Sequence, residues 1–328
     1  MINTAAIFDI KNSQEFEDLA FQMFEYHFNY NAVYRTYCEH IGVSKNSVDE
    51  IERIPFLPIN IFKSHKILVD DKIPQKVFLS SGTTQTENLS KHYVADLSIY
   101  ENSFVKGFES FYGKIENFAV IALLPSYLER TGSSLIYMAD YFIKKSNHSQ
   151  SAFYLNEWEQ LIAVLEKLKS ENQKTLLIGV SFALLELAEK YAPQLNENFV
   201  VMETGGMKGR RKEMIRDELH SVLCQGFNIE KIHSEYGMTE LLSQAYSKGD
   251  GIFQSPPWMQ FLIRETDDPF AYCEEGKTGG INIIDLANVY SCPFIATQDL
   301  GKKINATDFE ILGRFDHSDV RGCNLMVF

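Results

Sequence analysis

Apolar and polar positions along the chain follow two periods, one typical of helices and one typical of buried strands. From position 15 to 38, apolar side chains recur at helical spacing, which predicts a helical opening segment. Further on, short apolar runs alternate with helical segments, and this alternation predicts an α/β sheet covered by helices. The predicted strands are KVFLSS, FAVIALLP, TLLIGV and NFVVMETGG, and the predicted helices span about 96–112, 133–143, 156–169, 182–191 and 211–224.

After position 240 the pattern changes to short strand-like pieces separated by turns. These pieces are MQFLIRE, GGINIIDL, SCPFIATQDLG and FEILGRFD. They predict a smaller β-rich portion packed on the first part. Because no internal repeat, low-complexity tract or obvious flexible linker interrupts the sequence, we expect a single domain over 1–328, with a helical N-terminal segment at 1–54 and a short tail at 313–328.

Composition and charge argue against several classes of protein. The chain has 328 residues, of which 45% are hydrophobic and 23% are charged, and these values are ordinary for a folded globular protein. A formal net charge of −13 argues against nucleic acid or an anionic membrane surface as a partner. No secretory signal is evident at the start, and runs such as FAVIALL are too short to cross a bilayer. We therefore expect a cytoplasmic protein with no membrane span and no nucleic-acid partner.

The cysteines and histidines carry no metal or disulfide pattern. The five cysteines are Cys38, Cys224, Cys273, Cys292 and Cys323, and no two of them form a CxxC pair. The eight histidines show no HExxH or other ligand spacing. Neither a disulfide framework nor a zinc site is therefore predicted.

The stretch SSGTT, residues 80–84, lies between two predicted strands and consists of small polar residues. Gly82 permits a tight turn, and the neighbouring hydroxyls and backbone N–H groups can converge on a phosphate. The stretch is not a Walker A loop, because no GK[ST] follows at the required spacing. A solvent-exposed hairpin loop remains the open alternative, since these residue types are common in turns.

A second candidate is the stretch YGMTE, residues 236–240. Tyr236 offers a ring that can stack on a base, Gly237 permits close approach, Thr239 offers a hydroxyl, and Glu240 offers a carboxylate for Mg²⁺. The alternative is a helix that begins with Thr239 as its N-cap, with Tyr236 packed in the core.

A third candidate is the stretch TGGMKGRRK, in which Gly205 and Gly206 precede a basic cluster, Lys208–Lys212. This cluster would open the helix predicted at 211–224, where cations oppose the helix dipole, so the arrangement suggests a nearby anion. The alternative is a solvated basic turn that Glu213 and Asp217 partly offset.

The stretch GVSFA has the form GxSxA in a strand–turn–helix setting. This setting resembles the nucleophile elbow of hydrolases, although the second glycine is missing. Ser181 would be the nucleophile in that interpretation. The commoner interpretation makes Ser181 the N-cap of the helix that follows.

Taken together, SSGTT, TGG, YGMTE, TQDLG and GRFD resemble, in this order, the motifs of the adenylate-forming superfamily of acyl-CoA synthetases and luciferases. Within that superfamily the chain resembles the acyl-protein synthetase (LuxE-type) family from about Pro55 onward. The stretches that carry this closer resemblance are LPSYLERTGSSLIYM, ETGGMKGRRKEM, SEYGMTELLSQAYS and SDVRGCNL.

The resemblance implies a fold, two cofactors and a set of site residues. The implied fold is the N-terminal-type catalytic fold of adenylate-forming enzymes, with helix-covered mixed sheets, and the implied cofactors are ATP and Mg²⁺. The implied site consists of Ser80, Ser81, Gly82, Thr83, Thr84 and Thr239 for the phosphates, Tyr236, Gly237, Gly205 and Gly206 for the adenine, Asp299 for the ribose, Arg314 near the ribose and phosphates, Glu240 for Mg²⁺, and Cys323 as acyl acceptor.

Two departures from the superfamily pattern stand out. Gln85 replaces the usual glycine after SGTT, which leaves the role of Lys91 open. Most superfamily members continue past the GRxD motif into a C-terminal domain that carries a catalytic lysine, whereas this chain stops at Phe328. We therefore expect that lysine domain to be absent.

The activity implied by the resemblance is ATP-dependent activation of a carboxylic acid, expected to be a fatty acid, followed by acyl transfer to a thiol. The thiol would belong to Cys323 or to a carrier protein, and the expected partners are an acyl carrier protein or an acyl reductase. Two alternatives remain open. One is a phenylacetate-type acyl-CoA ligase that uses free CoA, and the other is a nucleotide-binding partner protein without turnover.

Overall fold

The computed structural model describes residues 2–80, 89–124, 132–155, 157–205 and 214–315. The chain forms two compact units. The first unit contains the residues up to Ile73 together with those from Pro257 onward, and the second contains Pro74 to Pro256. The single domain expected over 1–328 stays a prediction. None of the described helices combines the length and the apolar character that crossing a bilayer requires.

Helices and strands alternate through most of the described residues. The helices there are α1 Ser13–Tyr30, α2 Ala32–His40, α3 Ile61–Ser64, α4 Leu97–Tyr112, α5 Ser134–Ser146, α6 Trp158–Ser170, α7 Ser181–Lys190 and α8 Arg216–Phe227. The strands there are β1 Leu57–Pro58, β2 Lys76–Leu79, β3 Lys91–Val94, β4 Ala119–Leu123, β5 Ala152–Phe153, β6 Thr175–Val180, β7 Phe199–Thr204, β8 His233–Tyr236, β9 Ala245–Ser247, β10 Ile252–Gln254, β11 Met259–Arg264, β12 Thr278–Asp285, β13 Phe294–Lys303 and β14 Phe309–Arg314.

The second unit is built on a sheet with a parallel centre. The strand order is β5-β4-β6-β7-β8-β9-β10, in which the first five strands run parallel and the last two join in antiparallel pairs. Every residue of β4 and β6 is buried, because α5 packs on β4 and α7 packs on β6 and β7. Strands covered on both faces need continuous apolar runs, and AVIAL and TLLIGV supply them. The α/β sheet predicted from these runs is confirmed.

The start of α8 differs from the prediction. The predicted helix begins at position 211, but α8 begins at Arg216, and Ile215 before it has extended backbone angles. The first turn of α8 carries Asp217 and Glu218, whose negative charges favour a helix N-terminus. The argument that the Lys208–Lys212 cluster opens this helix is therefore wrong, and the cluster itself lies outside the described residues.

The first unit combines an antiparallel sheet with the opening helices. Strands β11, β12, β13 and β14 pair in that order, and β1 joins β13 in parallel. The opening segment is helical as predicted, but it is divided at Asn31, whose side chain accepts from the N–H of Tyr34 and donates to the carbonyl of Ser291. Strand β14 continues to Arg314, which includes the first two positions of the tail predicted at 313–328. Residues 316–328 lie outside the described residues, so the tail stays a prediction.

His27 is a buried histidine that the sequence pattern did not single out. Its ring lies in the core of the first unit, where Nε2–H donates to the carbonyl of Val289 at 3.0 Å and Nδ1 accepts from Asn31 at 3.2 Å. Burial lowers the pKa of His27 to about 3, and the bond to Val289 opposes this shift only in part. The folded protein therefore holds the neutral ring.

His27 makes the stability of the fold depend on pH. Because the pKa is lower in the folded chain, the unfolded chain binds more protons below about pH 6.5, and stability falls as the pH drops from there toward 3. We expect the free energy of unfolding of the wild type to fall by about 2 kcal/mol more than that of His27→Gln between pH 7 and pH 5. Urea unfolding of both proteins at the two pH values measures this difference. If the free energy of unfolding falls equally in the two proteins, His27 does not contribute to the pH dependence of stability.

Candidate active site

Parallel pairing brings the ends of three strands to one edge of the sheet. In β6 and β7 Gly179 lies opposite Glu203, and in β7 and β8 Thr204 lies opposite Glu235. The carboxyl ends of parallel strands are where ligands bind in open α/β sheets. Gly205 and Tyr236 directly follow the paired residues Thr204 and Glu235, so the structure places the beginnings of two predicted nucleotide loops next to each other.

The segment 236–240 leaves the sheet as turns. No helix begins at Thr239, so the alternative in which Thr239 is an N-cap is wrong. Tyr236 is partly exposed, and its ring meets the ring of Phe253 at 6.4 Å between centroids, nearly edge-on. Its hydroxyl contacts the sulfur of Met238 at 3.8 Å. The ring therefore has a defined position near the strand end and keeps part of its surface open.

Gly237 has a packing reason to be glycine. A Cβ atom at this position would come within 2.5 Å of a carboxylate oxygen of Glu235 and within 3.3 Å of the side chain of Gln244. The first of these distances is shorter than any normal contact, so the carboxylate would have to move. The absence of a side chain at Gly237 thus permits both the buried carboxylate and the turn.

His92 links the pair of strands β2 and β3 to the segment 236–240. Its ring is fully buried in β3, and Nδ1 lies 2.7 Å from the backbone carbonyl of Thr239. Because a carbonyl only accepts hydrogen bonds, the proton must be on Nδ1. The carboxyl group of Glu240, next to this anchored peptide, belongs to a residue that is only 5% exposed. A lone histidine in a short strand carries no sequence signal for this contact, so His92 is not among the residues predicted from the sequence.

The hairpin of β2 and β3 closes through Ser80. The last pair of the two strands is Leu79 opposite Lys91. The N–H of Ser80 donates to the carbonyl of Ser90 at 3.1 Å, and the hydroxyl of Ser80 accepts from the N–H of Ser90 at 3.0 Å. Ser80 and Ser90 are therefore held together directly beyond the paired residues of β2 and β3. Ser81, Gly82, Thr83 and Thr84 lie outside the described residues, as do Gly206 and Cys323.

Two buried carboxyl groups lie beside the strand ends, and neither was predicted. Glu235 accepts a hydrogen bond from the hydroxyl of Thr204. The pKa of Glu235 is raised to about 7, chiefly by burial and to a smaller extent by the charge of Glu203, while the bond from Thr204 opposes the rise. Glu203 lies 3.7 Å from Nε2 of His220 and 3.9 Å from Nε of Arg216. Acidic residues at strand ends have no distinctive spacing, so only the register of the sheet reveals this pair.

In the first unit, strand pairing joins two predicted residues from different motifs. Asp299 on β13 lies opposite Arg314 on β14, and Nε of Arg314 lies 3.5 Å from a carboxylate oxygen of Asp299. The Asp299 side chain is largely buried, whereas the Arg314 side chain is 81% exposed. The pair presents a carboxylate and a cation together, which suits hydroxyl groups and phosphate, respectively.

The carboxylates near the site suit a metal ion that takes some of its ligands from the protein and the others from a substrate. Among the described residues, no group of three His, Cys, Asp or Glu side chains could hold a metal ion. Mg²⁺ usually takes one or two carboxylates from the protein and the rest of its ligands from phosphates and water. A single carboxylate at Glu240, in a segment anchored by His92, fits this donor set.

The sequence matches the family model described as "Acyl-protein synthetase, LuxE" over residues 7–99 and 120–328. It is also similar to two curated proteins called long-chain-fatty-acid–luciferin-component ligase. The protein from Vibrio harveyi is 24% identical, and the alignment covers 92% of this chain and 84% of the relative. The protein from Aliivibrio fischeri is 23% identical, with 94% and 86% covered.

Solved structures with the same fold are adenylate-forming ligases. A 2-hydroxyisobutyryl-CoA ligase in complex with 2-HIB-AMP and CoA has a TM-score of 0.64 at 13% identity, covering 93% of this chain and 69% of that chain. ATP-bound MatB from Rhodopseudomonas palustris has a TM-score of 0.54 at 16% identity, covering 73% of this chain. The aligned region spans about half the length of MatB, 47%. The predicted fold class is confirmed.

The raised pKa of Glu235 predicts how a neutral replacement behaves. The folded chain binds more protons than the unfolded chain between about pH 4.5 and pH 7, so ionisation of Glu235 lowers stability as the pH rises through this window. Glu235→Gln removes that cost and can still accept from Thr204. We compare the free energies of unfolding of the variant and the wild type at pH 5 and at pH 8. We expect the difference, variant minus wild type, to be about 2 kcal/mol larger at pH 8 than at pH 5. Urea unfolding at both pH values tests this, and an equal difference at the two values would contradict it.

Proposed function

This chain belongs to the acyl-protein synthetase (LuxE) family, and we propose that it is an acid–thiol ligase that activates a fatty acid with ATP and passes the acyl group to a thiol. The observation that carries the proposal is the family match, because residues 7–99 and 120–328 include most of both compact units. The names of the two curated relatives support a long-chain fatty acid as the substrate class.

The reaction has two steps because a carboxylate is a poor acylating agent. First, a carboxylate oxygen attacks the α-phosphorus of ATP, an O–P bond forms, and pyrophosphate leaves. The product is an acyl-adenylate, whose carbonyl carries AMP as a good leaving group. A thiolate then attacks this carbonyl, the thioester forms, and AMP leaves with the bonding electron pair.

The residues of the second unit supply positioning and charge neutralisation for the first step. We assign the adenine to the ring of Tyr236 beside Gly205 and Gly237. The hydroxyl of Thr239, on the segment that His92 anchors, would donate to a phosphate. The remaining nucleotide assignments, Asp299 for the ribose hydroxyls and Arg314 near the ribose and phosphates, rest on the resemblance and on their pairing at 3.5 Å.

Glu240 would hold Mg²⁺, which when bound neutralises phosphate charge and makes the phosphorus easier to attack. The structural support is a carboxylate with little exposure on a segment fixed by a buried histidine. The hydroxyls and N–H groups of Ser81–Thr84 would complete the binding of the phosphates, as the resemblance implies.

The accepting thiol is assigned to Cys323 by its match to the family's C-terminal cysteine. The thiolate is the reacting form, and burial raises the pKa of each of the four described cysteines, that of Cys38 to about 12. Those four are thus poor acceptors. An acyl reductase or an acyl carrier protein would take the acyl group from Cys323, and the reaction would take place in the cytoplasm.

The test of the proposed function is ATP–pyrophosphate exchange with a panel of carboxylic acids of increasing chain length. Acid-dependent exchange supports adenylation, and we expect long-chain acids to give the highest rates. If long-chain acids give no higher exchange rate than short-chain acids, a fatty acid is not the preferred substrate. Rapid acyl-CoA formation would favour the acyl-CoA ligase, and ATP binding without exchange would favour the nucleotide-binding protein without turnover.

Replacement of Glu240 tests the metal assignment. Glu240→Gln keeps the size of the side chain and removes its charge, so we expect exchange at limiting Mg²⁺ to fall by about 100-fold or more, with a melting temperature close to that of the wild type. The matched control is Glu186→Gln, which removes a carboxylate from an ion pair with Lys190 on α7. If Glu240→Gln exchanges at the wild-type rate at every Mg²⁺ concentration, the carboxylate does not hold the metal.

Intact mass after incubation with ATP, Mg²⁺ and a long-chain acid tests the acceptor. We expect a hydroxylamine-labile acyl adduct on the wild type and on the control variant Cys224→Ser, and no adduct on Cys323→Ser. Cys323→Ser should still catalyse pyrophosphate exchange, because adenylation precedes the thiol step. An adduct that persists in Cys323→Ser would move the acceptor to another residue.

A further inference from the structure

The stretch GVSFA has a sequence similar to a nucleophile elbow, but its residues have other structural roles. A Cβ atom on Gly179 would meet the side chain of Leu184 at 2.9 Å and that of Leu123 at 3.2 Å, so close packing explains the glycine. Ser181 is 2% exposed. The residue before it, Val180, is the N-cap of α7, and no side chain caps this helix, so the prediction of Ser181 as N-cap is wrong.

The hydroxyl of Ser181 is directed at the end of the neighbouring strand. Its oxygen lies 2.6 Å from the backbone carbonyl of Gly205 and 3.1 Å from a carboxylate oxygen of Glu203. A serine hydroxyl has one proton to donate, and the shorter contact shows that the carbonyl of Gly205 receives it. A hydroxyl committed to a carbonyl in a buried position is poorly suited to attack a substrate.

Gly205 is the residue that directly follows β7. Its φ angle is +69°, a left-handed conformation that side chains rarely adopt. The peptide group that follows a glycine in this region has few restraints of its own. A hydrogen bond from Ser181 to the Gly205 carbonyl therefore sets the orientation of that carbonyl.

The support for this hydrogen bond extends into α8. The second carboxylate oxygen of Glu203 lies 3.7 Å from Nε2 of His220 and 3.9 Å from Nε of Arg216. Nε2 of His220 also lies 3.5 Å from the hydroxyl of Ser234 on β8. Side chains from the start of α7, the end of β7 and the start of α8 thus meet around Glu203, and the Gly205 turn is held by this cluster.

We propose that Ser181 is a positioning residue for the nucleotide, and that its hydroxyl holds the Gly205 turn in the orientation that binds ATP. This inference rests on the proposed function, since it assumes that Gly205 lies beside the bound nucleotide. Ser181 acts through Gly205 and does not touch the reacting atoms. Its loss should therefore weaken ATP binding more than it slows the chemical step.

The test compares variants of Ser181 in acid-dependent ATP–pyrophosphate exchange and in calorimetric ATP binding without acid. We expect Ser181→Ala to raise the KM for ATP by about three- to tenfold, the effect of one lost hydrogen bond, with kcat and the KM for the acid within about twofold of wild type. The matched control is Ser146→Ala, which removes another buried hydroxyl that donates to a backbone carbonyl, that of Ile143. The control should lose similar stability and keep its KM for ATP.

A second pair of variants separates the hydroxyl from the volume of the side chain. Ser181→Thr and Ser181→Val have nearly the same shape and differ in the hydroxyl, so we expect the threonine variant to bind ATP several-fold more tightly. Equal ATP affinity in these two variants, or wild-type affinity in Ser181→Ala, would overturn the inference. Labelling of Ser181 in the wild type by a fluorophosphonate would also overturn it, because it would show a nucleophile. Lack of ATP binding by the wild type would instead refute the proposed function and the inference with it.

Discussion

The arrangement of the second unit depends on the parallel pairing of β7 with β8, in which Thr204 lies opposite Glu235. This register places Gly205 and Tyr236 side by side where the two strands end. Glu235 is buried at that point and accepts a hydrogen bond from Thr204, so the two strands are joined by side chains as well as by their backbones. A shift of the register by one residue would turn Glu235 to the opposite face and separate the two loops.

Burying polar side chains at the strand ends raises the free energy of the folded state, and burying the apolar centre of the sheet offsets this. Strands β4 and β6 are buried along their whole length, whereas the ends of β7 and β8 hold two carboxyl groups within one cluster. Burying acidic groups together is unfavourable unless polar partners compensate. Thr204 donates to Glu235, and Glu203 lies within 4 Å of His220 and Arg216. Clusters of this kind, with one pKa displaced toward neutrality, are typical of functional sites.

Local pattern in the sequence was sufficient for the elements of the second unit but not for the contacts between them. The apolar run TLLIGV predicts a strand because its residues are consecutive, and β6 spans the same six positions. The start of α8 was misplaced because helical spacing does not reveal where the first turn lies, and the acidic residues Asp217 and Glu218 were the better signal.

Long-range contacts of the candidate site had no comparable signal. The bond from His92 to the carbonyl of Thr239 joins positions far apart in the chain, and neither position is unusual by itself. The pairing of Asp299 with Arg314 depends on the register of β13 and β14, although both residues had been assigned to the nucleotide from separate motifs. The family resemblance implies roles for Thr239, Asp299 and Arg314 but not for His92, and spacing along the sequence connects none of the four.

The central claim is that the ends of β7 and β8 bind ATP, and hydrogen–deuterium exchange followed by mass spectrometry locates that site directly. Exchange should be compared for the wild type with and without saturating ATP and Mg²⁺, after calorimetry has established that ATP binds. We expect slower exchange in peptides that contain Gly205 and in peptides that contain Tyr236 to Glu240, with little change along α6. Bound ATP that leaves exchange in both of these groups of peptides unchanged would contradict it.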